Sequence, residues 1–203
     1  MAASVFDNEL NHFPYAYDAG HFHRVYVGEV FNNRYRVHRK LGFGCSATVW
    51  LAQDIATDGF VALKVLSAMA SHEHADTDEQ EILHHLRIAD PAHPGWAHTL
   101  QLLDDFYHPG SEGLHRCFVF PVMGESLVTY AQKFPECRLP EHIAKSLSLQ
   151  LLQALDYTHT QGVIHTDIKQ ENIMLKMADS ALIKDLYLPR TAGCTDPQAL
   201  ENK

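Results

Sequence analysis

Three side chains in HTDIKQEN, at 165–172, have the types and spacing to move a phosphoryl group. Asp167, Lys169 and Asn172 stand at i, i+2 and i+5 in a polar loop between two apolar runs. The carboxylate can accept a hydroxyl proton. The ammonium can pair with the γ-phosphate as it moves, and the amide can hold Mg2+. In-line phosphoryl transfer needs little covalent help beyond a positioned hydroxyl, charge neutralisation and that metal ion.

A second candidate is Lys64, in VALK at 61–64. Its neighbours Val61, Ala62 and Val65 are apolar and small. An ammonium amid such neighbours must meet an anion or reach water. A phosphate and a carboxylate together would satisfy it. Glu81 is the natural carboxylate and Glu79 its competitor, because the register of the helix that carries both is open.

The third feature is LGFGCSATVWLA at 41–52. Gly42 and Gly44 lie between two strand patterns, whereas a dinucleotide-binding fingerprint needs a helix to follow. Two readings remain: an ordinary glycine hairpin, or a hairpin whose backbone closes over a phosphate.

Positioning these groups requires a sheet first and helices after it. YRVHRKLGF (35–43), ATVWLAQD (47–54) and FVALKVL (60–66) read as strands joined by tight turns, an antiparallel meander. Residues 75–88 read as an amphipathic helix with acids in its first turns. TLQLLDDFY (99–107) and LHRCFVFPVM (114–123) read as two more strands. Past Gly124 the pattern turns helical, with a short helix over 126–134. A long one over 139–162 has a Pro–Glu start and a Gly stop. The expected fold is therefore α+β in two lobes: an extension over 1–34, a sheet lobe over 35–124 and a helical lobe over 125–203.

The formal net charge of −9 argues against nucleic-acid binding through a basic surface. No apolar run approaches the ~20 residues that span a bilayer, and MAASVFDNELNHF lacks the pattern of a secretory signal. None of the four cysteines forms a C-x-x-C pair, so the expectation is a reduced, intracellular protein. Fifteen histidines are scattered over apparent loops and one helix. His72, His74, His84, His85, His93, His98 and His108 have no carboxylate or thiolate at matching spacing, so no histidine metal site is expected. His165 reads as a loop brace, and Cys45 in the glycine turn as an ordinary thiol.

Taken in order, LGFG, VALK, a helix glutamate and HTDIKQEN resemble a eukaryotic-type protein kinase over residues 35 to about 187. Within that family the chain is most similar to the SR-protein kinases, in particular their fungal relatives. The likeness rests on GHFHRVYVGEVFNNRYRVHRKLGFG (20–44), TVWLA, FVFPVMGESL (118–127) and HTDIK (165–169). It implies a two-lobed kinase fold and a serine/threonine kinase that uses ATP and Mg2+ on Arg-Ser-rich splicing proteins, in nucleus and cytoplasm. Asp167 and Lys169 would be catalytic. Leu41, Gly42, Phe43 and Gly44 would cover the nucleotide, and Val49 and Ala62 would sandwich the adenine. Phe120 would close the back of the pocket, and the backbones of Pro121 and Met123 would bind the adenine edge. Lys64, paired with Glu81, would hold the α- and β-phosphates. Asn172 and Asp185 would be the metal ligands.

The chain departs from the family pattern in four places. Thr166 replaces an arginine that pairs with an activation-loop phosphate, so activity should not depend on that switch. Ala47 replaces the third glycine. Tyr187 stands where the Gly of a DFG-like motif would follow Asp185, which leaves open whether Asp185 is the metal aspartate or lies in an insertion. The activation segment and later helices are expected to be missing, leaving an incomplete helical lobe with Leu147, Leu151 and Leu155 partly exposed. The alternative function is a non-catalytic kinase module that binds nucleotide or a partner without turnover.

Overall fold

Strand-forming stretches joined by tight turns fold the first half of the chain into one antiparallel sheet. The computed structural model describes residues 22–71, 79–110, 113–177, 183 and 187. Its strands are β1 (Val30–Phe31), β2 (Tyr35–Phe43), β3 (Ala47–Asp54), β4 (Gly59–Leu66), β5 (Asp104–Gly110) and β6 (Gly113–Pro121), in the order β1-β2-β3-β4-β6-β5. The meander β2–β4 lies within a residue of where the sequence places it.

Cross-strand register assigns the two faces of the sheet. Trp50 pairs with Leu63 and Leu63 with Val119, and these three belong to one core cluster with Val25, Phe31, Tyr35 and Phe106. One residue along, Val49 pairs with Lys64 and Lys64 with Phe118, while Ala62 pairs with Phe120. These side chains point to the opposite face, where Leu66, Leu102, Phe118 and Phe120 form a second cluster. Each fully buried side chain of this size contributes roughly 1.5–3 kcal/mol. The sheet curves until its two edges meet. Tyr35 Oη donates to Asp104 at 2.6 Å, and the Tyr35 and Phe106 rings stack at 5.6 Å.

Helix α1 (Glu79–Ile88) lies on the second face, with Leu83 in its cluster and Leu86 buried. Asp105 on β5 fastens it, accepting from Gln80 Nε2 at 2.5 Å and meeting His84 Nε2 at 2.7 Å. The chain then crosses into β7 (Met123–Ser126) and α2 (Leu127–Ala131), capped by Ser126 Oγ, which accepts from Thr129 N. Helix α3 (Glu141–Thr160) follows. Its end is a Schellman motif: Gly162 takes a φ of +74°, Val163 N donates to Thr158 O and Gly162 N to His159 O. Strand β8 (Met174–Lys176) returns to pair with β7. A third cluster, Leu51, Val122 and Ile183 with Leu41, Met177 and Tyr187, packs this region against the sheet.

Three expected elements shift. The strand read over 99–107 begins at Asp104 and runs to Gly110, because its pairing is a hairpin closed by Gly110 opposite Gly113. Leu102 is buried without belonging to a strand. The strand read over 114–123 divides at Val122 into β6 and β7. Among the described residues, α1 starts at Glu79; its expected beginning at 75 lies outside them. No described helix is long and apolar enough to cross a membrane.

Candidate functional site

The sheet sets Lys64 in a straight cross-strand row: Gly42 opposite Val49, Val49 opposite Lys64, Lys64 opposite Phe118. Paired residues in an antiparallel sheet share a face, so the ammonium emerges beside the glycine turn. Its Nζ lies 5.7 Å from the centre of the Phe118 ring, and its side chain keeps only a quarter of its exposure. A charge so placed needs an opposite charge, and the structure supplies one. Lys64 Nζ donates to Glu79 Oε1 at 2.6 Å.

That partner corrects the sequence reading, which preferred Glu81. Glu79, Leu83 and Leu86 stand at i, i+4 and i+7 on α1 and so share its inner face. Glu81 is turned about 200° from Glu79 around the helix and is exposed. The apolar contacts of Leu83 and Leu86 thus choose the carboxylate. Asp105, which the sequence reading overlooked, holds the same helix from the sheet side.

The glycine turn leaves open space at both glycines. A Cβ at Gly42 or Gly44 would meet nothing within 4 Å, and Gly44 N donates to Ala47 O at 2.8 Å. Neither glycine is needed for a left-handed backbone or for internal packing, which fits a turn that a bulky anion approaches. Leu41, Val49, Ala62 and Phe120 come together in one apolar cluster beneath it. Phe43 stands apart at the tip, partly exposed, with Lys40 Nζ over its ring at 5.1 Å. Pro121 ends β6 opposite Val61, and Met123 opens β7, so both lie at the crossover between the two sheets.

The polar loop leaves the Schellman turn and reaches β8 after ten residues, 163–172, and Ile173. Leu127 N donates to Ile173 O at 2.8 Å, tying its far end to α2. Within it Asp167 Oδ2 accepts from Lys169 Nζ at 2.8 Å and from Asn172 Nδ2 at 2.8 Å. Asn172 Nδ2 also donates to Asp167 O at 2.9 Å. The Lys169 ammonium, and after it the Asn172 amide, hold the Asp167 carboxyl below its usual range. Asp167 in turn raises Lys169. Asp167 is thus an anion near neutral pH, able to accept a proton from a hydroxyl. With Nδ2 committed to Asp167, Asn172 keeps Oδ1 as an oxygen ligand for a hard cation such as Mg2+.

Thr166 precedes the aspartate at a φ of +64°, a left-handed conformation that costs a β-branched residue about 1–2 kcal/mol. His165 Nδ1 accepts from Asp167 N at 3.3 Å, a contact within the loop. Asp185 lies outside the described residues. Its neighbour Ile183 is buried, and Tyr187 packs near Leu41 while its carbonyl accepts from Arg39 at 3.4 Å.

The family described as protein kinase domain matches residues 35–192. Protein kinase dsk1 of Schizosaccharomyces pombe is 43% identical over 184 residues, covering 90% of this chain and 34% of that protein. Human SRSF protein kinase 3 is 42% identical over 175 residues, covering 86% and 31%. Serine/threonine-protein kinase SKY1 of Saccharomyces cerevisiae is 39% identical over 168 residues, covering 80% and 23%. The chain therefore spans about a third or less of the length of these relatives. A crystal structure of a kinase domain superposes with a TM-score of 0.66 at 26% identity, over 81% of this chain and 45% of that one.

Proposed function

This chain belongs to the protein kinase family, and on that premise we propose that it carries the nucleotide cleft and catalytic loop of a serine/threonine kinase of the SR-protein kinase type. The carrying observation is the 2.6 Å pair between Lys64 and Glu79, set beside an open glycine turn on the face that holds Leu41, Val49, Ala62 and Phe120. An apolar patch next to a paired lysine suits a purine with phosphates attached.

The reaction follows from the loop. A substrate serine is held so that its Oγ lies in line with the γ-phosphorus of ATP. The Oγ–P bond forms as the bond from that phosphorus to the β–γ bridging oxygen breaks, and ADP leaves. The serine proton passes to the Asp167 carboxylate, which Lys169 and Asn172 keep ionised until that moment. Lys169 also offsets charge on the moving phosphoryl group, and Lys64 steadies the α- and β-phosphates. Mg2+, when bound, neutralises phosphate charge; Asn172 Oδ1 would hold it, with Asp185 as the second ligand by family position. The net charge of −9 favours Arg-rich peptides over acidic ones. Thr166 presents no cation to an activation-loop phosphate, so turnover in this reading requires none.

A second reading, nucleotide binding without turnover, draws on the loop's exposure: Asp167, Lys169 and Asn172 are all solvent-exposed.

A melt of the purified chain with Mg2+-ATP comes first. At a hundredfold excess over Kd, ligand should stabilise the fold by about 2.7 kcal/mol, and Lys64→Ala should abolish the shift. Transfer of labelled γ-phosphate to an Arg-Ser peptide follows, with Asp167→Asn as the inactive control. A nucleotide-induced shift without transfer selects the second reading. No shift in a chain that melts cooperatively removes both.

A further inference from the structure

Where the edges of the sheet meet, three side chains from distant parts of the sequence converge on one point. His23 precedes β1, Glu29 ends the turn before it, and His108 lies on β5. Glu29 Oε1 stands 3.0 Å from His23 Nε2 and 3.5 Å from His108 Nε2, and the three ligand atoms lie within 4.8 Å of one another. One carboxylate oxygen thus faces two imidazole nitrogens.

The group is held from behind. Tyr26 N donates to the other carboxylate oxygen at 2.9 Å. Phe31, fully buried, meets the His23 ring edge-on at 5.6 Å and the His108 ring at 4.0 Å. Gly110 leaves the rings their room: a Cβ there would come within 2.6 Å of His115 and 3.0 Å of His23.

We propose that His23, Glu29 and His108 form a binding site for a divalent first-row metal ion of the zinc class, joining the segment before β1 to β5 across the seam of the sheet. In a tetrahedral zinc site, bonds of about 2.0–2.1 Å place neighbouring ligand atoms about 3.3–3.4 Å apart. The two contacts at 3.0 and 3.5 Å straddle that spacing. Two imidazoles and one carboxylate are a known three-ligand zinc set that leaves a fourth position for water. The side chains keep 14%, 22% and 16% of their exposure, so the cluster is largely but not fully buried. Two nitrogen donors select a transition ion over Mg2+ or Ca2+. The ion is separate from the Mg2+ of phosphoryl transfer and does not depend on that reading.

The test uses the full chain after chelator treatment, at neutral pH. Zn2+ is titrated calorimetrically and Co2+ by visible absorption. The expected result is one ion per chain, a four-coordinate Co2+ band, and a melt that moves upward with Zn2+. Glu29→Gln and His108→Ala should each weaken binding by ~100-fold or more, beyond the tenfold to hundredfold typical of losing only a supporting hydrogen bond. His142→Ala with His159→Ala, both exposed on α3, should leave it unchanged. If His108→Ala fails to fold, His108→Asn and the wild-type Co2+ band decide. No Co2+ band in the wild type, or binding that survives both Glu29→Gln and the His108 variant, would overturn the site and leave a hydrogen-bonded His–Glu–His cluster only.

Discussion

Strand β3 and helix α3 are both rich in apolar residues, yet they are buried very differently. Six of the eight residues of β3 are buried. Of the twenty in α3, Tyr157 alone is. The strand lies between two packed layers, one cluster on each face. The helix meets its neighbours along one edge, where a Cβ at Gly95 would strike the Gln153 carbonyl and Tyr157 donates to Leu86 O. Leu149 and Leu152 remain 57% and 63% exposed, and Leu147, Leu151 and Leu155 are half-buried. A hydrophobic pattern marks a face that can be buried; burial itself requires an opposing surface.

The largest expected effect breaks that comparison at its extremes. Leu63→Ala, in the centre of the sheet, should cost about 2–5 kcal/mol, whereas Leu152→Ala should change stability by less than about 0.5 kcal/mol. Equal losses in chemical denaturation would mean that α3 is covered as fully as β4. Next in size is the link between α3 and α1. Tyr157→Phe leaves the Leu86 carbonyl without its hydroxyl partner and should cost about 1–3 kcal/mol. The same measurement checks it, and an unchanged midpoint would mean that the anchor contributes shape alone.

Smallest is a pH effect confined to the sheet. Asp54 accepts from Arg34 Nε and Nη2, each at 2.8 Å, and from Thr57 and Ala56. These bonds, Arg34's first, hold its carboxyl at about 2, against 3.8 for a free aspartate. A folded-state value below the unfolded one stabilises the fold above the unfolded value and loses that contribution as pH falls towards 2. Arg34→Met should therefore lower stability at pH 7 and flatten its decline between pH 4 and 2. An acid-unfolding curve with unchanged shape would show that the pair carries no pH-linked stability.

Much of this architecture is legible in single stretches. The alternation in 35–43, the β-rich runs at 47–54 and 60–66 and the turns between them place β2, β3 and β4, and the Pro–Glu start and Gly162 bound α3, because strand pattern and turn chemistry act over a few bonds. Lys64 and the Asp167–Lys169–Asn172 loop are recognisable for the same reason. The strand read at 99–107 misled because TLQLL is apolar enough to pair, while its backbone pairing is settled by a glycine hairpin further on. Spacing along the chain is blind to groups 85 residues apart, so it does not reveal that His108 stands beside Glu29 and His23.

Which side chains carry charge, which stretches are strand-like or helical and where the backbone turns are all consequences of local geometry, and so are legible residue by residue. Tertiary structure decided which of those groups meet. The packing of Leu83 and Leu86 turned Glu79 rather than Glu81 towards Lys64, and the closure of the sheet brought His23 and Glu29 to His108. Both choices depend on how distant surfaces fit, and no local spacing encodes that fit.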